Sequence, residues 1–171
     1  IRSFLLGSIC QGISSVQNVL ESDDVFSAIN CLRKLNIKIL YSGNKTYKIF
    51  GKGLGSYNTK NISELNFGNS GTLARLMIGI IATTPNINVK IFGDKSLNKR
   101  SMKKLITLMN EFGAEFFPKN KFFFPLRISS SNYPIVISYK SGTSAQLKSA
   151  VILAGLNSYG ETEIIENFKS R

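Results

Sequence analysis

The sequence contains no histidine. Its absence removes the commonest general base and every Ser-His or Cys-His nucleophilic arrangement. The two cysteines, Cys10 and Cys31, show no CxxC spacing, so no metal site is expected. Both have apolar neighbours and read as helical. Acidic residues are scarce, 10 against 22 lysines and arginines, and the net charge of +12 points to an anionic partner. The lysines are spread along the chain, with no basic run interleaved with aromatic stacking residues, so nucleic acid is not the expected partner. Small phosphorylated or carboxylated ligands would profit from the same field. No run approaches the roughly 18 apolar residues of a membrane span, and the first residues lack a signal-peptide pattern, so no membrane association is expected.

What is present is a chain of 171 residues, 43% apolar, long enough to bury a core. It begins with isoleucine and reads as part of a longer protein.

The sequence repeats itself. Three apolar helix candidates, "RSFLLGSICQG", "ARLMIGIIATT" and "SAVILAGLNSYG", carry Gly7, Gly79 and Gly155 roughly 70 to 80 residues apart. A β-branched strand follows each one: "SSVQNV", "NINVKIFG" and "TEIIEN". A more polar helix comes next, "SDDVFSAINCLRKLN" in the first copy and "NKRSMKKLITLMNEFG" in the second, then a strand, "IKIL" or "AEFF". Between copies lie pairs of short strands, "YKIFGKGLG" and "FFFPLRISSSNYPIVISY". In residues 101 to 112, Met102, Leu105, Ile106, Leu108, Met109 and Phe112 recur at helical spacing, and Gly113 stands at the stop. Ser22-Asp23-Asp24 reads as a side-chain N-cap with an acidic first turn. The predicted fold is mixed α/β (α+β), built from about three β-α-β-α-β-β units in one domain. The apolar helices should be buried on all sides and the amphipathic ones should face water.

"GNSGT", residues 68 to 72, precedes the second apolar helix, and "SGTSAQ", residues 141 to 146, precedes the third. In the first copy the equivalent spot falls at or before Arg2, and if the units are related by rotation all three helix starts converge on one face. Converging N-termini offer unpaired N–H groups and positive dipole ends to an anion. Arg2, Arg75, Arg100 and Lys148 fall near those ends, and arginine suits two-point contact with carboxylate or phosphate. Taken singly, the bland readings compete. Thr72 and Ser144 serve equally as helix caps, Arg75 as an internal pairing group, Asp23 and Asp24 as caps. Tyr139 and Phe122 to Phe124 serve as core or sheet face.

"GNSGTLARLMIGIIA", "GDKSLNKRSMKKLITLMNEFGAE" and "SAQLKSAVILAGLNSYGETEIIENFKSR" resemble three successive signatures of the 5-enolpyruvylshikimate-3-phosphate synthases, and the likeness runs along essentially the whole chain. The resemblance implies two similar domains of three such units each, closing over substrates. It implies transfer of the enolpyruvyl group from phosphoenolpyruvate to the 5-hydroxyl of shikimate 3-phosphate, with release of phosphate. It also implies no cofactor, a full-length enzyme that is a monomer and a glyphosate target, and a place in the cytoplasm, or in a plastid of a eukaryote. By the same resemblance Arg2, Ser144, Ala145 (through its backbone), Gln146 and Ser170 bind shikimate 3-phosphate. Gly71, Arg100 and Gln146 bind phosphoenolpyruvate.

Residues 1–171 are then a single incomplete domain, the shikimate-phosphate-binding half. The family's Lys-Ser strand, its second domain and the proton-transfer carboxylates are expected elsewhere in the protein. No catalytic acid or base is expected within this stretch, and the isolated chain is expected to be inactive. Ser101 departs from the family, which carries proline there. The alternatives are UDP-N-acetylglucosamine enolpyruvyl transferase, whose reactive loop cysteine has no counterpart in Cys10 or Cys31 as read here, and a non-catalytic anion- or nucleic-acid-binding module.

Overall fold

The computed structural model describes residues 1–166. Three sequential groups of elements build it. The first is α1 (Arg2–Ile9), β1 (Gln11–Val16), α2 (Asp23–Lys34), β2 (Lys38–Tyr41) and β3 (Tyr47–Lys52). The second is β4 (Glu64–Asn66), α3 (Gly71–Thr83), β5 (Asn88–Phe92), a 3₁₀ turn (Leu97–Lys99), α4 (Lys103–Glu111), β6 (Glu115–Phe117) and β7 (Leu126–Ser129). The third is β8 (Ser138–Ser141), α5 (Ala145–Gly155) and β9 (Glu163–Glu166). The second group has the full expected order β-α-β-α-β-β.

Each group makes its own sheet. The first is antiparallel in the order β1-β3-β2. The second runs β4-β5-β7-β6, with β4 and β5 parallel and the other pairs antiparallel. In the third, β8 and β9 pair in parallel through the crossover of α5. This corrects the reading of "FFFPLRISSSNYPIVISY" as a pair of strands between copies. Its first strand, β7, closes the second sheet, and its second, β8, opens the third. The first β-strand also starts earlier than expected, at Gln11, because its pairing with β3 runs from Gln11↔Lys52 to Val16↔Tyr47. Gly51 makes that register accessible. Any side chain there would run into the carbonyl oxygens of Gly7 and Cys10 at the end of α1.

The amphipathic helices behave as their patterns require. In α2, Val25, Ala28, Ile29, Cys31 and Leu32 are buried; in α4, Leu105, Ile106, Leu108 and Met109 are buried, and Gly113 follows with φ +92°. Asp23 and Asp24 do sit in the first turn of α2, but the Ser22 side chain makes no capping bond. Its carbonyl instead receives the amides of Val25 and Phe26.

The expectation that all three apolar helices are buried on every side holds for α3 alone. Every α3 residue except Thr72 and Arg75 is buried. On α1, Leu6 is exposed, and on α5, Ile152 is exposed. The cause is position: α3 packs against α1, α2, α4 and α5, whereas α1 and α5 lie to either side of it. The three helix glycines are not equivalent either. Gly7, Gly79 and Gly155 lie six, nine and eleven residues past the caps Ile1, Ser70 and Ser144. Their neighbours differ as well: Ile49 and Ser14, Ala150, and Thr162 respectively. Cys10 is exposed at the α1–β1 junction rather than inside a helix. Cys31 is buried in α2, its Sγ donating to the Asn66 carbonyl at 3.2 Å, and burial pushes the thiol up to about 12.

Candidate anion-binding site at paired helix ends

The site begins with two serines. Ser70 and Ser144 cap α3 and α5, each side chain accepting the amide three residues on, from Leu73 at 3.2 Å and Leu147 at 3.4 Å. Ser144 therefore does serve as a cap. Thr72 does not, because Ser70 already holds that position. The Thr72 hydroxyl is left for another partner.

That partner comes from α5. Gln146 Nε2 donates to Thr72 Oγ1 at 3.0 Å, and its Oε1 accepts from Arg75 Nη1 at 2.8 Å. The same Arg75 nitrogen donates to the carbonyl of Gly71 at 3.1 Å, closing a link across the first turns of both helices. Further along, Thr83 Oγ1 donates to the Ala154 carbonyl at 3.1 Å. The Arg75–Gln146 and Thr83–Ala154 rungs share a separation of 71 residues, so the two helices run parallel and in register. Their N-terminal, positive ends lie together, as the repeat predicted for these two of its three helix starts.

Arg100 completes the cluster from the loop after β5. Asp94 Oδ1 accepts the Leu97 amide at 2.7 Å and Asn98 Oδ1 accepts the Gly93 amide at 2.9 Å, fixing a 3₁₀ turn whose C-terminal cap is Arg100. The Arg100 side chain donates from Nη2 to Asn69 Oδ1 at 2.7 Å and to Ser96 Oγ at 3.4 Å. Asn69 belongs to the same turn as Gly71, so the arginine is held over the start of α3. A Cβ built at Gly71 would stand 2.8 Å from Arg75 Nη1 and 3.1 Å from Arg100 Nη1. The bare glycine thus faces two guanidiniums. Among the described residues neither has a carboxylate partner. Burial first, and then the nearby Arg100, lower the pKa of Arg75. Two cations held together without a counter-charge form an anion site.

Beside this cluster opens a cleft of about 950 Å³, with Arg75, Ser144 and Gln146 on its wall and Lys103, Lys104 and Lys140 adding positive charge. Among the described residues no acidic side chain lines it. Tyr139, expected in core or sheet face, also lines this cleft. Of the phenylalanines read the same way, Phe124 is buried and Phe123 is exposed. Ala145 begins α5, its carbonyl receiving the Ser149 hydroxyl at 2.9 Å. Lys148 forms an ion pair with Glu166. Arg2 lines a smaller groove of about 150 Å³ with Leu6, Leu76, Ser149 and Ile152. Ser170 lies outside the described residues.

Sequence reasoning brought together Gly71, Arg100, Ser144 and Gln146. It left Thr72 and Arg75 undecided and missed Asn69 and Ser96. The signal for Asn69 was present in "GNSGT", an amide next to a helix start, yet nothing in one sequence says that Arg100 would reach it.

These features define an α/β repeat protein with two guanidiniums gathered at paired helix N-termini, a candidate anion site. The model of the family described as EPSP synthase (3-phosphoshikimate 1-carboxyvinyltransferase) matches residues 1–171. A Bacillus cytotoxicus protein named 3-phosphoshikimate 1-carboxyvinyltransferase is 40% identical over 172 residues, covering 99% of this chain and 40% of its own length. One of the same name from Paramagnetospirillum magneticum is 37% identical over 171 residues, covering 99% of this chain and 38% of its own. The solved structure of EPSP synthase from Acinetobacter baumannii superposes with a TM-score of 0.91 at 31% identity, over 99% of this chain and 38% of that one. The chain belongs to the EPSP synthase family. It spans about two-fifths of the length of these relatives. No helix among the described residues is long and apolar enough to cross a membrane.

Proposed function

We propose that residues 1–171 form the shikimate-3-phosphate-binding half, an incomplete domain, of an enzyme that transfers the enolpyruvyl group from phosphoenolpyruvate to the 5-hydroxyl of shikimate 3-phosphate. The observation that carries this reading is the pair of guanidiniums, Arg75 and Arg100, around Gly71 at the start of α3, with Gln146 of α5 joined to Arg75. Family membership supports the choice of substrates.

In this reaction the 5-hydroxyl of shikimate 3-phosphate gives up its proton to a base as its oxygen bonds to C2 of phosphoenolpyruvate, while a proton is added to the methylene carbon. The adduct then loses inorganic phosphate and a methyl proton. The chain's contribution is positioning and charge. Arg100, steadied by Asn69, the backbone at Gly71 and the Gln146 amide hold the phosphoenolpyruvate anion. Ser144, Ala145 and Gln146, at the start of α5, hold shikimate 3-phosphate, with Arg2 and Ser170 as further contacts. Held cations stabilise charge that accumulates on the adduct, and the orientation lowers the entropic barrier. Among the described residues the cleft carries no carboxylate, so proton transfer falls to carboxylates in the second domain, and the 171-residue chain alone releases no phosphate.

The readings compete in one titration of the full-length enzyme containing this stretch, against shikimate 3-phosphate and against single-stranded DNA, across a salt series. Saturable shikimate 3-phosphate binding with a shallow salt dependence supports the enzyme. DNA binding with a steep salt slope and no response to shikimate 3-phosphate overturns it in favour of a nucleic-acid-binding module.

A further inference from the structure

A glutamine side chain is an ambiguous ligand. Its carbonyl oxygen accepts and its NH₂ donates, and a half-turn of the amide exchanges them. In this site the ambiguity is removed by one neighbour. Thr72, which meets Nε2 at 3.0 Å, has a hydroxyl that both donates and accepts, so it tolerates either orientation. Arg75 does not. Its guanidinium only donates, and Nη1 stands 2.8 Å from Gln146 Oε1, so the oxygen must face it. Arg75 is itself anchored on the Gly71 carbonyl and, with Thr72, sits half-buried on the otherwise buried α3. The second Nε2 hydrogen of Gln146 has no partner among the described residues, and Gln146 lines the large cleft.

We infer that Arg75 is a positioning residue: by holding the amide oxygen of Gln146, it commits Gln146 to donate a hydrogen bond to the anion in the cleft. Thr72 supports the arrangement from the other side. Without Arg75 the amide is free to turn its oxygen toward a negatively charged ligand, and that orientation repels. The inference rests on the proposed function for the identity of the anion. It differs from a reading in which Arg75 grips the anion directly, as a second clamp beside Arg100.

A double-mutant cycle on the full-length enzyme containing this stretch separates the two. The KM for phosphoenolpyruvate and kcat are measured for wild type, Arg75→Met, Gln146→Met and the double variant, with melting temperature as the control for folding. If Arg75 acts through Gln146, each single change raises KM on the order of tenfold, and the double variant is no worse than Gln146→Met alone. kcat stays within about threefold throughout, as for a loss of ground-state and transition-state binding alike. Effects that multiply, to about a hundredfold in the double variant, overturn the positioning role and leave a direct clamp. Should Arg75→Met not fold, Thr72→Val enters the cycle in its place. A KM rise of about threefold that vanishes in the Gln146→Met background supports the proposal, and one that persists overturns it. The wild-type arm keeps the two claims apart. A wild-type enzyme inactive with shikimate 3-phosphate sinks the proposed function, whereas an active one with independent effects sinks only the positioning role.

Discussion

Gly79 on α3 lies directly against the backbone of Ala150 on α5: a Cβ on Gly79 would stand 2.5 Å from the Ala150 carbonyl oxygen and 3.0 Å from its Cα. The contact falls one turn below Arg75 and Gln146 on each helix, and one turn above Thr83 and Ala154. The three rungs together make a parallel helix pair whose closest approach sets the span of the hydrogen bond at its end. The neighbour at Gly79 is backbone rather than the tip of a flexible side chain, so the helices must separate if it is filled. Gly79→Ala is therefore expected to cost about 1–3 kcal/mol of stability, despite alanine's better helix propensity. Urea unfolding of the variant gives that number, and an unchanged midpoint would show that the pair has slack. Phosphoenolpyruvate binding should weaken as well, because the Arg75–Gln146 contact opens with the helices.

Gly71→Ala is expected to act in the opposite manner. The added methyl would meet only guanidinium tips, Arg75 Nη1 at 2.8 Å and Arg100 Nη1 at 3.1 Å, which are able to move aside. Stability should stay within about 0.5 kcal/mol of wild type. Affinity for phosphoenolpyruvate and glyphosate should fall, and more than affinity for shikimate 3-phosphate, since the displaced groups are the clamp Arg100 and the arginine that orients Gln146. Calorimetric titration with each ligand checks this. Equal losses for all three ligands would mean that Gly71 serves the helix start alone.

Asn69→Ala removes the 2.7 Å hydrogen bond that steadies Arg100 and leaves its charge in place. Phosphoenolpyruvate affinity should drop roughly three- to tenfold, the scale of one hydrogen bond to a charged group near the surface. Shikimate 3-phosphate affinity should hold. An unaltered KM for phosphoenolpyruvate would show that Arg100 needs no such support.

The two cysteines should behave differently. Cys10 is exposed and should react with a thiol reagent in the native protein. Cys31 is buried and its thiol is pushed up to about 12, so it should react only on unfolding. An unfolded thiol ionises near about 8.5, so the folded chain binds that proton more tightly. This contribution to stability is intact below that pH and declines as pH rises toward 12. Unfolding midpoints at pH 8 and pH 10 should therefore fall less for Cys31→Ala than for wild type. Two thiols titrating rapidly in the native protein would contradict the assignment.

How much of this was legible beforehand depends on the range of the interaction. The alternation of apolar and polar helices, the buried faces of α2 and α4 and the stop at Gly113 are local patterns, and they read directly. The pairing of β8 with β9 is a parallel match across a helix, and adjacency in sequence suggested β7 instead. The cap of α3 passed from Thr72 to Ser70 because the helix begins two residues earlier than the hydroxyl-rich turn implied. That shift freed Thr72 for Gln146, 74 residues away. Gly71, Arg100 and Gln146 were found through the family resemblance, since each alone reads as a turn, a surface charge and a helix start. The role of Arg75 needed coordinates, because it lies in which end of an amide the guanidinium faces.

The most direct measurement is a coupled one on the full-length enzyme containing this stretch, following inorganic phosphate and the enolpyruvylated acceptor in the same reaction. The account predicts phosphate and enolpyruvyl shikimate 3-phosphate in equal amounts, only when phosphoenolpyruvate and shikimate 3-phosphate are both present, and a loss of both products in Arg100→Ala. Turnover with UDP-N-acetylglucosamine in place of shikimate 3-phosphate, or no turnover with either acceptor, would contradict it.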